Sequence, residues 1–80
     1  MTVKEAYSIA KDGINLKKYV LLECTDFDEF YGFVFGVKDA ENGTGYVCVD
    51  KLTGRRFEKS VAQDMSLLHR GVDIPLNEIV

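Results

Sequence analysis

Apolar residues at the start of the chain recur with helical spacing: Val3, Ala6, Tyr7, Ala10 and Ile14 follow the i, i+3, i+4 rule. They predict an amphipathic helix over residues 2–12. Thr2 and Glu5 form a T-x-x-E capping box at its start, and Gly13 after Asp12 is a C-terminal stop. The period then changes. Residues 18–25, KYVLLECT, are a short, apolar, partly β-branched run that predicts a strand. Apolar side chains fall on both of its faces near the middle, so this strand is expected to be central or covered by a helix.

Residues 29–37, EFYGFVFGV, alternate most clearly. Tyr31, Phe33, Phe35 and Val37 share one face, and Phe30, Gly32, Val34 and Gly36 share the other. The bulky face should pack against the helices. Glycines on the opposite face signal close approach by another backbone, a bulge, a strong twist or a shallow groove, and we take them to relieve crowding in a twisted sheet. KDAENGTG, 38–45, is a turn-rich loop with the turn dipeptide Asn42-Gly43. A third strand follows at Tyr46–Asp50, then the turn KLTG and a fourth strand at about residues 55–59. Within that turn Asp50 and Thr53 should hydrogen-bond locally, and Gly54 should take a positive φ. Phe57 should return to the core, and alternation sends Arg55 and Arg56 to opposite faces.

A second helical segment is expected from Val61, capped by Ser60 or Asp64, with Met65, Leu67 and Leu68 apolar and Gly71 as its stop. The end, VDIPLNEIV, is apolar at Val72, Ile74, Leu76, Ile79 and Val80, and Pro75 prevents a long regular helix. It should form a docked turn, a short edge segment or an intermolecular contact. No repeat or linker divides the chain. The expected fold is one α+β domain, residues 1–80: an N-terminal helix packed on a four-stranded antiparallel β-meander, with a short C-terminal helix.

Composition agrees with one folded domain. The chain has 80 residues, 46% of them hydrophobic and 29% charged, with four tyrosines and five phenylalanines spread along it. The net charge is −3, and its distribution matters more than its size. Residues 21–50 carry seven acids against Lys38 alone. Nothing in that balance favours nucleic acid, but the acidic segments 23–29 and 39–41 could face a basic partner. The first residues contain no long apolar run, so neither a signal peptide nor a membrane segment is expected, and a cytoplasmic location follows.

Catalytic constellations do not emerge. The single histidine, His69, stands at the end of the second expected helix, where a structural role is favoured. Cys24 and Cys48 lie in apolar strand runs and read as buried free thiols, with a cross-strand bridge as the alternative. Two cysteines and one histidine without C-x-x-C spacing do not make a zinc site. DFDEF lacks the remaining ligands of an EF-hand, and GTG at 43–45 lacks the lysine of a phosphate loop. Tyr31, Phe33 and Phe35 are not interleaved with Lys or Arg, which disfavours base stacking. No cofactor is implied.

The order of TVKEAYSIAKDG, a strand, YGFVFGV and YVCVDKLTGRRF resembles small PepSY-like domains. In these, a helix with paired alanines, here Ala6 and Ala10, precedes an antiparallel sheet ending in a V-D-x-x-T-G hairpin. It is equally similar to small bacterial immunity proteins of polymorphic toxin systems. The resemblance covers residues 2–59 and leaves the tail outside. It implies a binding or inhibitory module without catalytic residues, and the matched Val49, Asp50, Thr53 and Gly54 are turn-makers only. The expected function is a non-enzymatic protein that binds another protein by steric occlusion, with Asp26, Asp28, Glu29, Asp39, Glu41 and Arg56 as candidate contacts. A homodimer held by an edge strand or the apolar tail is the alternative, and a small enzyme is the third reading.

Overall fold

The computed structural model describes residues 1–37, 45–60, 67 and 69–79. Among these residues, helix α1 (Val3–Ala10) precedes five strands: β1 (Tyr19–Asp26), β2 (Phe30–Val37), β3 (Tyr46–Asp50), β4 (Arg56–Lys59) and β5 (Val72–Asp73). All pairs are antiparallel, and the spatial order is β4-β3-β2-β1-β5. The class is α+β as expected, but the sheet has five strands rather than four. The added strand comes from the tail and pairs only Asp73 with Thr25 and Val72 with Asp26. It is the short edge segment that was one option for the tail, and its partner strand was not legible because two residues show no periodicity of their own. The second expected helix lies largely outside the described residues.

The capping box forms as the sequence indicates. The Glu5 amide donates to Thr2 Oγ1 at 3.2 Å, and the Thr2 amide donates to Glu5 Oε1 at 2.9 Å. Ala6 and Ala10 are fully buried, and their small side chains let α1 approach the sheet closely. Tyr7 packs on Phe33 and Phe35, with ring centroids 5.8 and 6.3 Å apart. Cys24, Val47 and Val49 complete this core, and Ile74, Leu76 and Ile79 close it from the tail. The apolar tail is therefore docked on its own chain, through β5 and a 3-10 turn at Leu76–Glu78.

The opposite face of the sheet is covered too. Phe27, Phe30, Cys48 and Leu67 are buried there with Tyr46 and Phe57 against them. Phe27 belongs to the turn between β1 and β2, yet it is 1% exposed. Its ring lies 5.1 Å from those of Phe30 and Tyr46. Gly32 makes room for this: a Cβ there would lie 2.5 Å from Phe27 Cε2 and 3.0 Å from Tyr46 Cδ1. The close approach that the glycine permits is by aromatic rings folded back from the turn.

The β3–β4 turn matches its sequence reading. Asp50 Oδ1 accepts from the amides of Leu52 and Thr53 at 2.8 and 2.9 Å, and Gly54 takes φ +72. Phe57 packs edge-on against Phe30 at 5.2 Å. These amide bonds favour the ionised Asp50 and hold its carboxyl below the usual range. A pKa lowered by folding contributes stability above the unfolded value of about 3.9, and that contribution is lost as pH falls through the folded value. The Leu52 and Thr53 amide shifts should thus titrate with a midpoint below about 3.9 in an NMR pH series. A midpoint at or above that value contradicts the turn geometry.

The two thiols are free and buried on opposite sides of the sheet, Cys24 under α1 and Cys48 among the rings, so no bridge joins them. Burial, aided by Asp26, pushes Cys24 up to about 12, and burial pushes Cys48 up to about 11. Neither should react with a thiol reagent in the native protein at neutral pH, and both should react once it is unfolded in guanidinium chloride. Rapid native labelling of either one, read by mass, contradicts this packing.

Candidate partner-binding site

One irregularity in β1 sets the character of the second face. The β1–β2 pairs run Tyr19–Val37, Val20–Gly36 and Leu21–Phe35, then resume at Glu23–Val34. Leu22 is the extra residue of a bulge. A strand alternates faces with a period of two, so one added residue reverses the alternation beyond it. Tyr19 and Leu21 before the bulge pack toward α1, as Cys24 does after it. Glu23 and Thr25 are thereby sent to the opposite face, where pairing through β2 puts them in line with Tyr46 and Cys48.

Two pockets adjoin on this side of the molecule. One, of about 290 Å³, is walled by Glu23, Thr25, Tyr46, Arg70 and Asp73. The other, of about 420 Å³, lies toward the β1–β2 turn and is walled by Asp26, Phe27, Asp28, Glu29, Arg70 and Val72. Arg70 and Gly71 are common to both and form the ridge between them. Gly71 has φ +101, and a Cβ there would meet Thr25 Cγ2 at 2.6 Å and Phe27 Cδ1 at 2.9 Å. The ridge can lie this close to the sheet only because the residue is glycine.

The acids chosen from the sequence have unequal roles. Asp26 Oδ1 accepts from Lys51 Nζ at 2.7 Å and from the Asp28 amide at 2.8 Å. Burial pushes its carboxyl up, but these bonds and the Lys51 charge outweigh it, and the net shift is downward. Lys51 also lies 4.6 Å above the Tyr31 ring. Glu29 Oε2 accepts from Arg70 Nη2 at 2.5 Å, and the same nitrogen donates to the Phe27 carbonyl at 3.4 Å. Asp26 and Glu29 therefore tie turns together. Asp28, held at φ +76 at the turn's tip, is exposed and makes no ion pair among the described residues. Arg56 Nε donates to the Ala10 carbonyl at 3.3 Å, at the C-terminal end of α1 and away from the pockets. Asp39 and Glu41 lie outside the described residues.

The structure also brings in residues the charge pattern did not single out. Glu23 fell within the acidic stretch, but Asp73, Thr25 and Tyr46 carried no local signal. Asp73 is 50 positions from Glu23 and joins it only because β5 pairs with β1. Burial raises the Tyr46 phenol pKa, the charges of Glu23 and Asp73 add to this, and the nearby Thr25 hydroxyl opposes it. Among the described residues, no three His, Cys, Asp or Glu side chains are grouped to hold a metal ion. No helix among them is long and apolar enough to cross a membrane. Compared with known proteins, the chain matches no family model, no curated protein and no solved structure.

Proposed function

We propose that this chain is a small non-enzymatic module that binds another protein and acts by occlusion, as an immunity-type or inhibitory protein would. The resemblance to PepSY-like and immunity domains implies such a role. The observation that carries it is the pair of adjoining pockets rimmed by Glu23, Asp28 and Asp73, three carboxylates without an ion pair among the described residues. Together with the internally paired Asp26 and Glu29 they form a surface complementary to a basic segment of the partner. Occlusion needs shape and charge, and requires no nucleophile or base.

The test is comparative capture from the native lysate. A Glu23→Lys/Asp28→Lys/Asp73→Lys variant should lose a protein that wild type retains. A control with the same charge change elsewhere, Asp12→Lys/Glu58→Lys/Glu78→Lys, should keep it. Equal retention by both variants sinks the acidic-groove reading. A second reading, a homodimer, draws on β5 pairing with Thr25 and Asp26, which among the described residues leaves residues 19–23 of β1 with a strand partner on the β2 side alone. A molecular mass independent of concentration in light scattering rules that reading out.

A further inference from the structure

We propose that the pocket walled by residues of β1, β3 and β5 receives one basic side chain, a lysine or arginine of the partner, held by Glu23, Asp73 and the Tyr46 phenol above the Thr25 hydroxyl. The inference rests on the protein-binding reading above and supplies its anchor. Thr25 is 5% exposed, and its Oγ1 is buried without a hydrogen-bond partner. Buried hydroxyls are rarely left so, and this one lines the pocket. Tyr46 is near enough for the Thr25 hydroxyl to influence its phenol, although the contact falls short of hydrogen-bond geometry. A donor from outside could engage the acceptors of both groups.

Charge selects the class of that donor. Glu23 and Asp73 contribute two carboxylates, and the pocket's own cation, Arg70, is turned to Glu29 and the Phe27 carbonyl. An anion would meet uncompensated negative charge, whereas an ammonium or guanidinium would meet two carboxylates and two hydroxyls. Size selects further. At about 290 Å³ the pocket is at the lower limit for a drug-sized ligand and suits a single side chain. The bulge at Leu22 makes the arrangement possible, because without it Glu23 and Thr25 would face α1.

The probe is the N-acetylated, C-amidated tripeptide Gly-Arg-Gly, titrated into the isotopically labelled protein by NMR beside its citrulline counterpart, which keeps the shape and removes the charge. Saturable shifts at the amides of Thr25, Tyr46 and Asp73 are expected with arginine and not with citrulline. Thr25→Val, which keeps the side-chain shape, should weaken binding about tenfold. Thr25→Ser should restore it, and Glu23→Gln/Asp73→Asn should abolish saturation. Equal responses to the two peptides, or wild-type affinity in a folded Thr25→Val variant, overturns the proposal. Its failure leaves the groove reading standing if the charge-reversed groove still loses the captured protein. Peptide binding with unchanged capture would remove that reading and, with it, the assignment of the pocket to the partner.

Discussion

Replacing Phe27 with alanine should cost about 3–5 kcal/mol and lower the thermal midpoint by about 12 °C or more. Few turn residues carry such a penalty. Phe27 does because its ring is 1% exposed and lies against Phe30, Tyr46, Gly32 and Gly71. Truncating it opens a cavity beneath the ridge and unseats the turn that presents Asp28. The same contact predicts a coupling. Gly32→Ala puts a methyl 2.5 Å from Phe27 Cε2, so it should be strongly destabilising in wild type and far less so in a Phe27→Leu background. A double-mutant cycle by thermal unfolding should show an interaction of about 1 kcal/mol or more. Additive effects would mean that the ring does not occupy the space the glycine leaves.

Gly71→Ala should cost about 2–4 kcal/mol, from backbone strain together with steric overlap. At φ +101 an L side chain is strained whatever surrounds it, and here it would also strike Thr25 and Phe27. Gly13 separates the two contributions. Its φ is +82, but nothing lies within 4 Å of the added Cβ, so Gly13→Ala should cost only about 1–2 kcal/mol. Urea unfolding of the two variants measures the difference. Equal losses would show that the ridge is not packed against the sheet. Because Gly71 stands in both pockets, its replacement should also weaken partner binding, whereas Gly13→Ala should not.

Much of the fold was legible because its signals are local. The capping box, the alternation of β2 and the Asp50–Gly54 turn each depend on residues a few positions apart. Phe27 was missed because it sits in an acidic run that reads as loop, and only the bare backbone at Gly32 gives its ring somewhere to lie. The glycine was noticed, but its partner was not. β5 is the short edge segment that was one of three options for the tail; its pairing with β1 was not legible, because two residues show no period. The bulge at Leu22 was hidden in a run apolar on both faces, and that ambiguity was itself its trace: β1 changes sides midway.

The site was legible in sign and not in detail. Charge alone drew attention to Asp26, Asp28 and Glu29, and the pockets do lie beside that turn. Two of the three acids find cations 25 and 41 positions away, Lys51 and Arg70, and such pairings cannot be read from a charge count. Asp73 joins Glu23 only through the pairing of β5 with β1, so the acids left open belong to distant parts of the chain.

Hydrogen exchange on this chain, alone and bound to the protein it retains from the lysate, tests the central claim most directly. Protection on binding should concentrate in residues 23–29 and 69–73, the segments that wall the two pockets, with α1 unchanged. Protection confined to α1 or to β4, with those segments exchanging as in the free chain, would contradict the account.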